Sequence, residues 1–166
     1  MTIERNMLMS VLKLTKDGPV STEIVKKDAK IPSEVAEKLL RKMQNDGLIY
    51  QRKNVVETDA QQRLKLAVQA ILLGADVESV SSFLQWQEFE SMAVVAFRQN
   101  GYSAQKNFRF KYAGRMWEID IVGSKKPIAI CIDCKHWHRG IYPSALKRIV
   151  EEQVRRTLAL AEALPN

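Results

Sequence analysis

The chain has 166 residues, 46% of them hydrophobic, and a formal net charge of +7. Such a chain can pack one medium domain or two small ones, and its composition is that of a folded chain and not of a disordered one. No apolar run approaches the ~18 residues of a membrane-spanning helix, and Met1-Thr2-Ile3-Glu4-Arg5 lacks the basic-then-apolar start of a secretory signal, so the protein reads as cytoplasmic.

Ile3, Met7, Leu8, Val11, Leu12 and Leu14 recur at helical spacing, and Gly18-Pro19 stops that helix. Ser21 can cap a second helix running to about Ala29. Pro32 suits the start of a third, with Val35, Leu39, Leu40 and Met43 on one side and Asn45-Asp46-Gly47 at its end. Leu48-Ile49-Tyr50 and Val55-Val56 read as short strands around the basic turn Arg52-Lys53-Asn54. Ala60 to Leu73 reads as a connecting helix with Leu64, Ala67, Val68, Ile71 and Leu72 on one face, ended by Gly74.

Trp86 to Gln99 is a strong helix. At about 100° per residue, Trp86, Phe89, Ala93, Val94 and Phe97 gather on one face with Glu90 among them, and Glu88 falls opposite, toward solvent. An acid on a core-facing stripe needs a partner or a metal. Tyr102 to Tyr112 reads as a strand carrying Lys106, Arg109 and Lys111, either a phosphate-facing ribbon or an edge protected by charge. In Trp117-Glu118-Ile119-Asp120-Ile121-Val122, alternation sets Glu118, Asp120 and Val122 on one face. After a turn at 123–127, residues Ile128 to Lys135 form a strand apolar enough to be central and buried, with Ala129, Cys131, Asp133 and Lys135 sharing a face.

Asp120 and Asp133 on adjacent strands can hold one hard cation such as Mg²⁺, which prefers carboxylate oxygens. Lys135, one alternation further on, can orient or deprotonate an attacking water or neutralise a phosphate. Asp28-Ala29-Lys30 has the same spacing but falls in a predicted helix, so the strand context distinguishes the second instance. Cys131 and Cys134, with His136 and His138 after them, have the composition of a zinc site. Three residues apart in a strand, the two cysteines point to opposite faces, so zinc is not expected. Cys134 is expected in the core and Cys131 at the site wall. Ser144 to Leu164 reads as a last helix with Leu146, Ile149 and Leu160 inward and Gln153 within that arc. Arg148, Arg155 and Arg156 fall nearer its flanks.

Two stretches carry resemblances. "GPVSTEIVKKDAKIPSEVAEKLLRKMQNDGLIY" resembles a winged helix-turn-helix over about 50 residues. That resemblance implies DNA contact through Lys38, Arg41 and Lys42 on the third helix and Arg52 and Lys53 on the wing; the plain alternatives are solvated charges or a protein-contact module. "EID", then "CIDCKHW", after a helix bearing "FE" and then "NGY", resembles the PD-(D/E)XK nuclease superfamily. The likeness is to its Mrr-like restriction endonuclease and archaeal Holliday-junction resolvase branch. It covers roughly residues 84–160 and implies a core of helix, three strands, helix and a further strand. By that match Asp120 is the first acid, Asp133 and Lys135 the D-x-K pair, Glu90 the helix acid and Gln153 the helix glutamine. Mg²⁺ or Mn²⁺ is the implied cofactor and DNA the implied partner, with Arg109 and Lys111 facing it. Ile119 stands where the motif name has proline. The chain ends at Pro165-Asn166, where the family continues into a further strand, so the core is expected to be shortened.

The expected fold is thus mixed α/β: a winged helix (1–58), a helical connector (59–84) and a nuclease-like core (85–166). The expected function is metal-dependent DNA endonuclease. The rival is a non-catalytic DNA-binding regulator that keeps the nuclease scaffold. A homodimer suits an enzyme that cuts both strands, but no surface for one is legible.

Overall fold

Among its described residues, 2–135 and 142–164, the computed structural model has seven helices and two three-stranded antiparallel sheets. The chain divides into two units, Met1–Phe89 and Glu90–Asn166. No helix among the described residues is long and apolar enough to cross a membrane.

In the first unit, helix α1 (Ile3–Leu14) starts where the Thr2 hydroxyl accepts a hydrogen bond from the Arg5 N–H. It buries Met7, Leu8, Val11 and Leu12 completely, each worth about 1.5–3 kcal/mol relative to exposure. Strand β1 (Val20–Ser21) precedes α2 (Thr22–Ala29), capped by Ser21. Helix α3 (Ser33–Asn45) turns Ala36, Leu40 and Met43 inward, while Val35, expected inside, is exposed. Strands β2 (Tyr50–Arg52) and β3 (Val55–Glu57) form a hairpin, with β1 added to the outer side of β3. Lys53 in its turn takes a left-handed backbone, φ 52°.

The stretch assigned as a connector holds α4 (Ala60–Leu72) and α5 (Val77–Phe83). Helix α4 is fixed by a capping box between Asp59 and Gln62. Its buried stripe is Arg63, Leu66, Ala67 and Ala70, so its phase is turned from the expected one and Leu72 faces outward. Arg63 is buried because every arm of its guanidinium is satisfied. It donates to Glu88 (2.7 Å), Leu12 O (2.8 Å), Thr15 Oγ1 (3.0 Å) and Phe83 O (2.6 Å).

Helix α6 (Trp86–Gln99) contains the boundary between the units. After it come β4 (Ser103–Tyr112), β5 (Arg115–Lys125) and β6 (Ile128–Ile132), in that order across the sheet, then α7 (Pro143–Ala163). Ala113 and Gly114, both at positive φ, make the two-residue β4–β5 turn whose twist suits a hairpin. Strand β5 runs on through 123–125, so the turn expected there narrows to Lys126-Pro127.

Val94 of α6 packs with Ala104 and Ile121, joined by Ala93, Phe97, Ile132 and Cys134. The Phe97 ring lies so close to Gly123 that an added Cβ would sit 2.5 Å from it. Three expectations on α6 and beyond it fail. Trp86, at the end of the first unit, is 47% exposed; Leu146 on α7 is also exposed; and among the described residues β6 is an edge strand, not a central one, with Ile128 and Ile130 open to solvent. Among the described residues no strand follows α7.

Candidate active site

Asp120 lies near the middle of β5, and Asp133 follows the last residue of β6. Ile121 pairs with Ile132, so continuing the antiparallel register by one residue sets Asp120 opposite Asp133. Opposite residues in such a pair share a sheet face. The chain is tied down just beyond: the Cys134 N–H donates to Asp120 Oδ2 at 2.8 Å.

Asp133 is held from two sides. Its Oδ1 accepts from Lys135 Nζ at 2.9 Å and from Arg156 Nη1 at 2.8 Å. Lys135 remains half-exposed while the Asp133 side chain is nearly buried. The sequence reading left Arg156 on a flank of α7. Its position three residues after Gln153, on the same side of the helix, is the signal that could have placed it here. Asp133, Gln153 and Thr157 border a groove of about 390 Å³ whose other walls are apolar, among them Ile149, Val154 and Leu158. Both polar atoms of the Gln153 amide are buried without a hydrogen-bond partner.

Glu90 is buried on α6, 1% exposed. Its Oε2 lies 3.3 Å from Lys106 Nζ, and its Oε1 has no hydrogen-bond partner. Lys106 sits opposite Ile121 in the β4–β5 register and thus on the α6 face of the sheet. Glu88, expected in solvent, is instead 7% exposed, and accepts from Arg63 Nε and from the Gln85 N–H at 2.8 Å. Helix α6 therefore has two inward sides. A single apolar arc reveals only one of them.

Cys134 is the neighbour of Asp133 whose N–H binds Asp120. Burial, then the charges of Asp120, Glu90 and Asp133, push its thiol up to about 11, with Lys106 acting in the opposite sense. Cys131 lies on the other side, its thiol beside Thr157 of α7 and raised by burial. Cys134 therefore packs with the α6 cluster, and Cys131 lies against α7. His136 and His138 lie outside the described residues. The Asp28-Ala29-Lys30 repeat of the motif is apart from this site: Asp28 is held by Ser10 and Lys13 within the first unit.

The donor chemistry suits a hard divalent cation. Glu90 Oε1 is a buried carboxylate oxygen with nothing to bind, and Asp120 and Asp133, opposite one another on adjacent strands, are oxygen donors of the kind such ions take. Among the described residues, no three acidic, cysteine or histidine side chains are drawn together tightly enough to enclose an ion. Asp133, Asp120 and Glu90 are each held by the hydrogen bonds and ion pairs above.

The cations assigned to DNA lie elsewhere. Lys38 pairs with Glu34 and Lys42 with Glu4 on the surface of the first unit. Arg41 and Lys53 border one polar depression between α3 and the β2–β3 hairpin, and Arg52 is exposed beside it. On β4, Arg109 pairs across the ladder with Glu118 at 2.8 Å, while Lys111 is exposed.

No curated protein and no solved structure matches the chain. Residues 82–161 match the family model of the Mrr-type catalytic domain, described as a restriction endonuclease. The matched stretch contains Glu90, Asp120, Asp133, Lys135 and Gln153 together with the α6, β4–β6 and α7 elements that carry them. This C-terminal part of the chain is therefore similar to the catalytic domain of Mrr-type restriction endonucleases.

Proposed function

We propose that the protein is a divalent-metal-dependent DNA endonuclease, with its chemistry at Asp120, Asp133 and Lys135 and its DNA docking in the first unit. The observation that carries this reading is the placement of Asp120 opposite Asp133 on adjacent strands, with Lys135 Nζ 2.9 Å from Asp133 Oδ1, within the stretch that matches the restriction endonuclease family.

Asp120 and Asp133 are the residues that would hold Mg²⁺ or Mn²⁺. Bound there, such an ion supplies Lewis-acid polarisation of the phosphodiester and acidifies a water. Arg156, bonded to Asp133 Oδ1, fixes the rotamer of that carboxylate. The Lys135 ammonium, 2.9 Å from the same oxygen and open to solvent, can donate from Nζ to an attacking water or to a phosphate oxygen. Glu90 adds negative charge from the α6 side, and the Gln153 amide offers an uncommitted donor and acceptor from the α7 side.

For docking, the order of three helices and a basic hairpin in the first unit supports a winged helix that lays α3 on DNA. Lys38, Arg41, Lys42, Arg52 and Lys53 would neutralise phosphates, with Arg109 and Lys111 on β4 of the second unit adding to them.

Incubation with plasmid and four-way-junction DNA in Mg²⁺, Mn²⁺ or EDTA tests the proposal. Cutting should need the metal and vanish in Asp120→Asn and Asp133→Asn, which should also lose metal binding. Lys135→Ala should bind metal yet not cut. One observation favours the non-catalytic reading: Asp133 Oδ1 already accepts from two cations. A wild type that binds neither metal and cuts no DNA form would decide for that scaffold.

A further inference from the structure

Strand β4 contains a residue in a conformation that strands ordinarily avoid. Asn107 lies in its middle with φ 50°, in the left-handed region. The other non-glycine residues at positive φ are a helix cap, Lys30, and two hairpin-turn residues, Lys53 and Ala113. Among the described residues, only Asn107 has this backbone inside a strand. The ladder around it keeps its register: Lys106 pairs with Ile121 and Phe108 with Ile119, which sets Asn107 across from Asp120 with no residue inserted in either strand. Left-handed backbone costs free energy for every residue but glycine, and asparagine is one of the few that bear it. Asparagine is also a poor strand former. Its side chain is exposed, so core packing does not offset the cost. Local distortions in a strand re-aim a side chain and are frequent beside active sites, and strain of this kind persists where a site makes use of it.

We propose that Asn107 is a substrate-binding residue whose carboxamide Nδ2 donates to a phosphate oxygen of the DNA brought to Asp120. The proposal rests on the DNA-cutting reading of that site and adds a contact on the β4 side of it. The chemistry of the side chain fits the place. A cation opposite Asp120 would pair with the carboxylate and compete with a metal ion, and an acid would repel the phosphate. A carboxamide does neither, and it carries two donors. Two residues further along β4, Arg109 is already committed to Glu118 at 2.8 Å.

Two substitutions in the full chain test it, both made in the Lys135→Ala background so that DNA is bound in Mn²⁺ and not cut. Asn107→Gly suits the left-handed backbone at least as well as asparagine, so its melting temperature should hold while the carboxamide is gone. Its affinity for a short fluorescein-labelled duplex, read by anisotropy, should fall about tenfold, the loss of one hydrogen bond to a charged group. Its Mn²⁺ affinity by calorimetry should not change. Asn107→Asp keeps the shape and also bears that backbone. It should bind the duplex more weakly still, by repulsion, and Mn²⁺ about threefold or more tightly, because a further carboxylate then stands opposite Asp120. Unchanged duplex affinity in Asn107→Gly would reduce Asn107 to a bend in an edge strand and overturn the proposal. Mn²⁺ affinity that falls in Asn107→Gly would make the residue a metal ligand and overturn it as well. Should Asn107→Gly not fold, Asn107→Asp decides, and unchanged duplex affinity there refutes the contact. A chain with Lys135 intact that cuts no DNA, yet whose duplex affinity both substitutions lower, would sink the endonuclease reading and keep this contact; one that binds no DNA would sink both.

Discussion

Glu88→Gln and Glu90→Gln alter two buried acids on the same helix and should act in opposite ways. Glu88 is bound by Arg63 and by the Gln85 N–H, and Arg63 has no solvent to retreat to, being 4% exposed. Removing one partner of a buried pair costs about 3–5 kcal/mol. Glutamine keeps one oxygen for Arg63 but loses the charge and the second acceptor, so about 2–4 kcal/mol is expected. For a unit of 89 residues that is a fall of about 4–8 °C in Tm per kcal/mol. Glu90 is buried just as deeply, but its Oε1 has no partner, and its cation Lys106 is about one-third exposed. A buried carboxylate so poorly satisfied already costs stability. Its neutral replacement should leave the unfolding free energy within about 1 kcal/mol of wild type, while Mn²⁺ affinity by calorimetry drops about tenfold or more. Urea denaturation followed by far-UV circular dichroism reads the first effect. An unchanged midpoint in Glu88→Gln, or an equal loss in Glu90→Gln, would show that the division of labour between these acids is wrong.

Gly123→Ala places a methyl 2.5 Å from the Phe97 ring and should destabilise by about 1–3 kcal/mol; Phe97→Leu in the same chain should recover part of that loss in urea melts. In a Cys131→Ser background, Cys134 should be alkylated by iodoacetamide far more slowly at pH 8 than a free thiol, because its thiol is raised to about 11. The sign for stability follows: the folded state holds this proton more tightly, so the contribution is complete below the unfolded value of 9.0 and is lost as pH rises toward about 11. Free-thiol reactivity in the folded protein would contradict both statements. Arg41→Ala with Lys42→Ala should lower the log–log salt slope of DNA affinity by about 0.9 per lost phosphate contact; an unchanged slope in fluorescence anisotropy would make the first unit a protein-contact module.

Much of the architecture follows from local chemistry. Thr2 and Ser21 cap their helices because their hydroxyls reach backbone donors within a turn. Asp120 and Asp133 come opposite one another because strand period and register leave no other arrangement once the β5–β6 turn forms. The family motif is legible for the same reason: it lies on two sequential strands. The partners of the charges were not legible. Glu88 falls on the solvent side of its helix by phase alone, and only the packing of α1, α5 and α6 around Arg63 supplies four acceptors at once. Arg156 likewise reaches Asp133 only because α7 crosses the strand end.

Element order, strand faces and the carboxylate pair follow from the amino-acid pattern, because all of them depend on neighbours within a few residues. Which helix face is inside, which buried acid has a cation, and the edge position of β6 among the described residues emerge in the folded chain alone. Those depend on contacts between segments far apart in the chain, and a hydrophobic pattern records that a surface will be covered without recording what covers it.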